Sequence, residues 1–253
     1  MKKFLLLTWA VIAAFSLNSC SKDDDGKKDD PNDPQPQEMR YVKSVRCSNG
    51  DTYSYEYDDQ HRRTKCINYF TNEMITCTYT YSTNAVTVAV KNEVIGHEEY
   101  NHNSSTVLQL NGKGYVISAS EVGGENENSK FIYDSDGYLI SSPMNGGYTY
   151  SWINGNLMTS KGEETLNFGY NTNTIKPISV DLLGILTDGY MGEEWWIYDP
   201  FIEKHNANLV TTIKGSINAN LVYTFDDEGY ITKITNSQPT YEGESLSYEI
   251  MYY

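Results

Sequence analysis

The densest cluster of binding chemistry in the 253-residue chain is Glu193-Glu194-Trp195-Trp196-Ile197-Tyr198. Two of the 4 Trp stand side by side there, with Tyr190 and Phe201 close in sequence. Flat aromatic faces stack on sugar rings, and carboxylates bond sugar hydroxyls. Trp195, Trp196, Glu193, Glu194 and Tyr198 therefore form a candidate glycan platform. The same stretch also reads as a hydrophobic plug, since Leu182, Leu183, Ile185, Leu186, Trp195, Trp196, Ile197 and Phe201 concentrate apolar surface in a polar chain. Left exposed, they would make a patch larger than monomers usually tolerate. Adjacent Trp residues on a strand point to opposite faces, which argues against one shared platform. The plug is the preferred reading and the glycan platform the alternative.

Other reactive groups are sparse. Cys47, Cys66 and Cys77 follow Cys20. A turn at Thr71-Asn72 places Cys66 directly opposite Cys77, a candidate disulfide in an exported chain, with Cys47 left over. His97 and His102 sit in the only local His cluster, but a zinc site needs three or four converging ligands. The acidic turns Asp134-Ser135-Asp136-Gly137 and Asp226-Asp227-Glu228-Gly229 lack the position-12 Glu of a calcium loop. No G-x-S-x-G elbow, phosphate loop, H-E-x-x-H or dinucleotide fingerprint occurs. The expectation is a protein without enzymatic activity, cofactor or metal. A glycosidase with two facing carboxylates is a more distant alternative. The net charge of -15 excludes a phosphate-gripping nucleic-acid binder.

Residues 1–20 read MKKFLLLTWAVIAAFSLNSC. Lys2 and Lys3 precede an apolar run too short for an ordinary spanning helix. Leu17-Asn18-Ser19-Cys20 resembles the lipobox of bacterial lipoproteins. The resemblance implies removal of residues 1–19, lipidation of Cys20 and a bilayer as partner. Residues 20–38 continue as SKDDDGKKDDPNDPQPQE after the Cys, which reads as a disordered acidic tether. An acidic run after the lipid Cys resembles the surface-export signal of Bacteroidetes lipoproteins. That resemblance implies an outer-membrane anchor facing the exterior, with a periplasmic face as the alternative.

Residues 39–253 repeat one pattern: an alternating strand, a turn rich in Asp, Asn and Gly, then another alternating strand. Tyr53, Tyr55 and Tyr57 share one face and Ser54 and Glu56 the other; Ile75, Cys77, Tyr79 and Tyr81 oppose Thr76, Thr78 and Thr80. This is a half-buried antiparallel signature. Strand ends before the turns fall at Tyr57, Tyr81, Leu110, Tyr133, Trp152, Tyr170 and Phe225. The expected fold is an all-β, antiparallel, up-and-down meander of about 14 to 16 strands. It would form a soluble barrel or strongly curled open sheet, with short strands of about six to eight residues and aromatics inside. The turns YDSDGYL and FDDEGYI are similar to YD repeats of bacterial surface proteins. With the lipobox and tether, residues 39–253 resemble a Bacteroidetes lipoprotein family described as having a porin-like fold. In YDDQHRR, His61 stands where Gly would, and YSTNAV and YNTNTI lack the Gly, which leaves the geometry of those hairpins open.

The pattern breaks at about residues 180–209, an insertion long enough to be functional or a lid. The whole chain reads as a lipid-anchored cell-envelope protein acting as a binding or scaffold module. A glycan or another envelope protein would be its partner.

Overall fold

The computed structural model describes residues 38–123, 129–143, 147–187, 195–202, 204–238 and 245–253. Cys20, the signal segment and most of the tether therefore lie outside the described residues. The chain divides into two units, Met1–Pro36 and Gln37–Tyr253. The second is the all-β unit expected.

Its strands run up and down in chain order. The first seven are β1 (Val42–Cys47), β2 (Thr52–Tyr57), β3 (Arg63–Phe70), β4 (Glu73–Tyr81), β5 (Ala85–Val94), β6 (His102–Leu110) and β7 (Val116–Glu121). Next come β8 (Ser129–Lys130), β9 (Ile132–Tyr133), β10 (Leu139–Ser142), β11 (Tyr148–Ile153), β12 (Asn156–Lys161) and β13 (Thr165–Thr174). After the insertion follow β14 (Asn208–Gly215), β15 (Ala219–Phe225), β16 (Ile231–Asn236) and β17 (Ser247–Tyr252). β17 pairs back onto β1, with Val45 opposite Ile250. β8 pairs with β7, while β9 pairs with β10. They are two halves of one interrupted strand around the buried Phe131. The result is a nearly closed antiparallel barrel with sixteen staves.

Period-two alternation decides what faces in. On β4 and β5, Ile75, Cys77, Tyr79, Val86, Val88 and Val90 are buried. Outward positions carry mid-strand ion pairs such as Lys65–Glu56 and Lys233–Glu249. Four strands are longer than expected: β4 and β6 have 9 residues, β5 and β13 have 10.

The Tyr excess has a structural cause. At one end of the barrel, an aromatic near the close of one strand donates to a backbone carbonyl at the start of the strand before it. Tyr57 reaches Val42, Tyr81 reaches Arg63, Tyr133 reaches Val116 and Trp152 reaches Leu139. Tyr170 reaches Leu157, Tyr223 reaches Val210 and Tyr252 reaches Ile231. Each clasp joins neighbouring staves through a bond worth about 0.5–1.5 kcal/mol net. Phe could bury the same ring without making that bond. Phe225, which has no hydroxyl, is 42% exposed, and Tyr223 makes the clasp in its stead.

The turns at this end are copies of one device. Asp226 Oδ1 accepts from the amides of Glu228 and Tyr230, and the Gly229 amide donates to the Asp226 carbonyl. Asp134 does the same with Asp136, Tyr138 and Gly137. Asn111 repeats it with Lys113, Tyr115 and Gly114. Asp58 does so with Gln60, Arg62 and His61, so the turn survives without glycine. His61 takes φ 61° there, a left-handed conformation that costs an L-residue roughly 1–2 kcal/mol. Its ring stacks on Tyr41 at 4.6 Å, which returns about 0.5–1.5 kcal/mol. His61→Gly should therefore keep the turn and move stability by less than about 1 kcal/mol, while His61→Val should lose more than that. Urea unfolding of the two variants side by side checks this.

YSTNAV also closes as a hairpin, with the Ser82 amide and hydroxyl both donating to the Ala85 carbonyl. YNTNTI does not. β13 continues through Tyr170 to Thr174 with shifts of register on either side of Tyr170, and its partner is β14, with Thr174 opposite Asn208. Beyond Thr174 the chain leaves the wall as the insertion.

Candidate functional site

The insertion enters the barrel at the aromatic-clasp end. The Asp181 carboxylate accepts from the Leu183 amide at 2.9 Å and caps α1 (Leu182–Leu186). A second short helix, α2 (Trp195–Tyr198), is continued by a 3₁₀ turn over Asp199–Phe201. All four residues of α2 are buried, with Trp195 1% exposed. Gly184 makes this possible: a Cβ there would stand 2.4 Å from the Trp195 ring. Trp195 and Trp196 meet edge to face at 6.1 Å inside the core. They lie on a helix, so they do not point to opposite faces as strand neighbours would.

This geometry corrects the glycan-platform reading. Trp195, Trp196 and Tyr198 offer no open face to a sugar ring, because the barrel wall already covers them. Glu193 and Glu194 lie outside the described residues. The plug reading describes where these side chains go.

One buried ion pair ties plug to wall. Arg63 of β3 donates from Nη2 to Asp199 Oδ2 at 2.7 Å and to the Ser179 carbonyl at 3.0 Å. Its guanidinium lies 4.7 Å from the centre of the Tyr55 ring, a cation–π contact. Burial opposes the Arg63 charge, but Asp199, then Tyr79 and Tyr55, outweigh it and hold its pKa well above the ordinary value. Tyr79 donates to the Trp196 carbonyl at 2.8 Å, a second wall-to-plug bond. Sequence reasoning missed Arg63 and Asp199. The one available signal was Arg63 itself, a cation at an inward strand position.

Asp199 Oδ1 accepts from the Asp181 amide, so both Asp199 oxygens are engaged. The second Asp181 oxygen lies 3.5 Å from His205 Nδ1. Burial pushes the His205 pKa down, but the Asp181 carboxylate outweighs it, and the net shift is upward. Ligand atoms of Asp181, Asp199 and His205 lie within 4.8 Å of one another, a spacing a metal ion could use. Here Arg63 already supplies the positive charge at Asp199.

Two cavities flank this cluster. One, of about 280 Å³, is lined mainly by aliphatic side chains, including Ile175, Leu182, Leu186 and Val210. The other, of about 500 Å³, is lined by Tyr57, Tyr81, Phe201, Arg62 and Ser179 among others. Met39, Ile178 and His205 line both. The entering chain crosses this mouth: Tyr230 donates to the Glu38 carbonyl, and Arg40 pairs with Asp226 and Glu228.

The candidate disulfide has the expected register but not the bond. Cys66 and Cys77 are cross-strand partners and inward-facing, as the Thr71-Asn72 turn requires. Both are thiols, and Cys66 donates to Asn68 Oδ1 at 3.1 Å. Burial raises the Cys66 pKa to about 12, so the thiolate that forms a disulfide is scarce.

No family model and no curated protein matches the chain. Among solved structures it is similar to a porin-like protein from Bacteroides vulgatus ATCC 8482, at TM-score 0.51 and 15% identity, over 85% of this chain and 99% of that chain. At that identity the likeness shows the fold: this chain forms a porin-like barrel.

Proposed function

We propose that the protein is a lipid-anchored cell-envelope module that binds a ligand in the mouth of its plugged barrel and does not transform it. The observation that carries this reading is the pair of cavities meeting at Met39, Ile178 and His205. Small-molecule sites are typically concave, mostly apolar spaces of about 300–1,000 Å³ with a few convergent polar groups. Against turnover stands the engagement of the nearest carboxylates: Asp199 with Arg63 and Asp181 with its helix cap. A scaffold role in the envelope is the second reading, supported by the clasped barrel wall.

A panel of saccharides, amphiphiles and small acids titrated by calorimetry tests the reading. A ligand whose binding is blocked by Leu186→Trp, which fills the smaller cavity, supports it. Binding untouched by that variant moves the site elsewhere.

The anchor has its own test. Leu17-Asn18-Ser19-Cys20 supports lipidation at Cys20, and the acidic run that follows supports a face outward from the outer membrane, with a periplasmic face as the alternative. Cys20→Ala should shift the protein from the membrane fraction to the soluble fraction. Equal membrane retention of variant and parent would overturn the anchor.

A further inference from the structure

The two cavities differ in chemistry, and the difference names a ligand. The smaller is walled mainly by aliphatic groups, and its polar lining is Lys176, Asn206, Tyr223, His205 and Asp181, whose carboxylate is engaged by the Leu183 amide and His205. The larger carries His61, Arg62, Arg63 and His205, and its single carboxylate among the described lining residues is Asp199, held by Arg63. A chain of net charge -15 thus gathers His61, Arg62, Arg63 and His205 at one rim next to an aliphatic pocket, with Arg62 paired to Asp58 and Arg63 to Asp199.

Two rim residues, His61 and Arg62, belong to the Asp58 turn. Arg62 lies 4.4 Å from the Tyr81 ring centre and pairs with Asp58 at 2.7 Å, with its side chain 45% exposed. His61 keeps a left-handed backbone at a position where the sister turns carry Gly114, Gly137 and Gly229. Glycine would make the same turn without strain, and strain retained at a cavity rim points to a role for the side chain.

Resting on the reading of the mouth as a ligand site, we infer that it binds an anionic single-chain amphiphile. The alkyl chain occupies the aliphatic cavity, where each buried methylene contributes roughly 0.8 kcal/mol. The carboxylate or phosphate head takes charge-assisted hydrogen bonds from Arg62 and His61. Met39, 46% exposed and lining both cavities, swings aside to join them; its unbranched thioether adapts to such changes.

The test titrates the full chain carrying Cys20→Ala, without detergent, with decanoate, decyl phosphate, decanol and glucuronate. Decanoate and decyl phosphate should bind saturably, one per chain, and their ratio shows which head the rim prefers. Decanol and glucuronate should bind at least tenfold more weakly. Arg62→Gln and His61→Gly, both at the exposed rim, should each weaken decanoate at least tenfold with little change in urea midpoint. Decanol equal to decanoate would overturn the anionic head, and unchanged affinity in both rim variants would overturn its placement. Glucuronate equal to decanoate would overturn the alkyl chain. If none of the four binds, the amphiphile assignment fails. The saccharide and small-acid arms of the wider panel then decide separately whether the mouth is a ligand site.

Discussion

Replacing Trp195 with alanine is expected to remove about 3–5 kcal/mol of stability, the usual loss for a buried Trp. The ring is 1% exposed and fills the space directly over Gly184. Alanine leaves a void that α1 cannot close, because α1 is held from the other side by the Asp181 cap. Gly184→Ala attacks the same contact by overpacking, since its methyl would meet the ring at 2.4 Å. Overpacking a well-filled core costs about 1–3 kcal/mol. Urea midpoints of both variants, with the slope held constant, measure the effect. A Trp195→Ala protein as stable as its parent would mean that the barrel stands without its plug.

Asp199→Ala should cost a similar amount, about 3–5 kcal/mol, by a different mechanism. The variant deletes the carboxylate that Arg63 faces at 2.7 Å, and both side chains are nearly inaccessible, at 1% and 2%. Arg63 keeps its charge because guanidinium does not deprotonate in proteins. The loss is therefore the price of a lone charge in the core. A double variant, Arg63→Met with Asp199→Leu, should regain most of the stability, because swapping a buried pair for apolar groups of similar size is often neutral or better. Equal instability of the single and double variants would show that the pair does more than neutralise itself, for example by positioning the Ser179 carbonyl and the Asp181 amide.

The pair also explains how the insertion finds its place. Apolar burial is non-directional and would accept several seatings of α2 inside the barrel. The Arg63–Asp199 bonds and the Tyr79 bond to the Trp196 carbonyl admit few. In this barrel the Tyr hydroxyls serve twice: six of them, with the Trp152 indole, clasp the staves together, and Tyr79 fixes the plug.

Much of the wall was legible from local chemistry. Alternation in TYSYEY and ITCTYTY sets which residues face in, because side chains on a strand alternate with period two. The two-residue turn after Phe70 sets the register that brings Cys66 opposite Cys77. Asp or Asn followed three residues later by Gly marks the turns at Asn111, Asp134 and Asp226, because the side-chain oxygen binds amides two and four residues on and glycine tolerates φ near 83–89°. These are interactions within a hairpin, and a short stretch of sequence contains all of their parts. The apolar excess of residues 180–209 likewise required burial, whatever covered it.

What tertiary structure alone decided is long-range. The plug bond at Arg63 ends on Asp199, 136 residues away. Nothing near Arg63 in sequence announces Asp199, since the partner is chosen by where the closed wall delivers the insertion. His61 looked like a broken turn, yet the hydrogen bonds of Asp58 and the Tyr41 stack hold it in the shape glycine would take. The sequence left Trp195 and Trp196 open between a buried plug, the preferred reading, and a surface platform, because types and spacing do not report burial. Their burial depends on sixteen staves closing around them, which is a property of the whole circuit and of no segment within it.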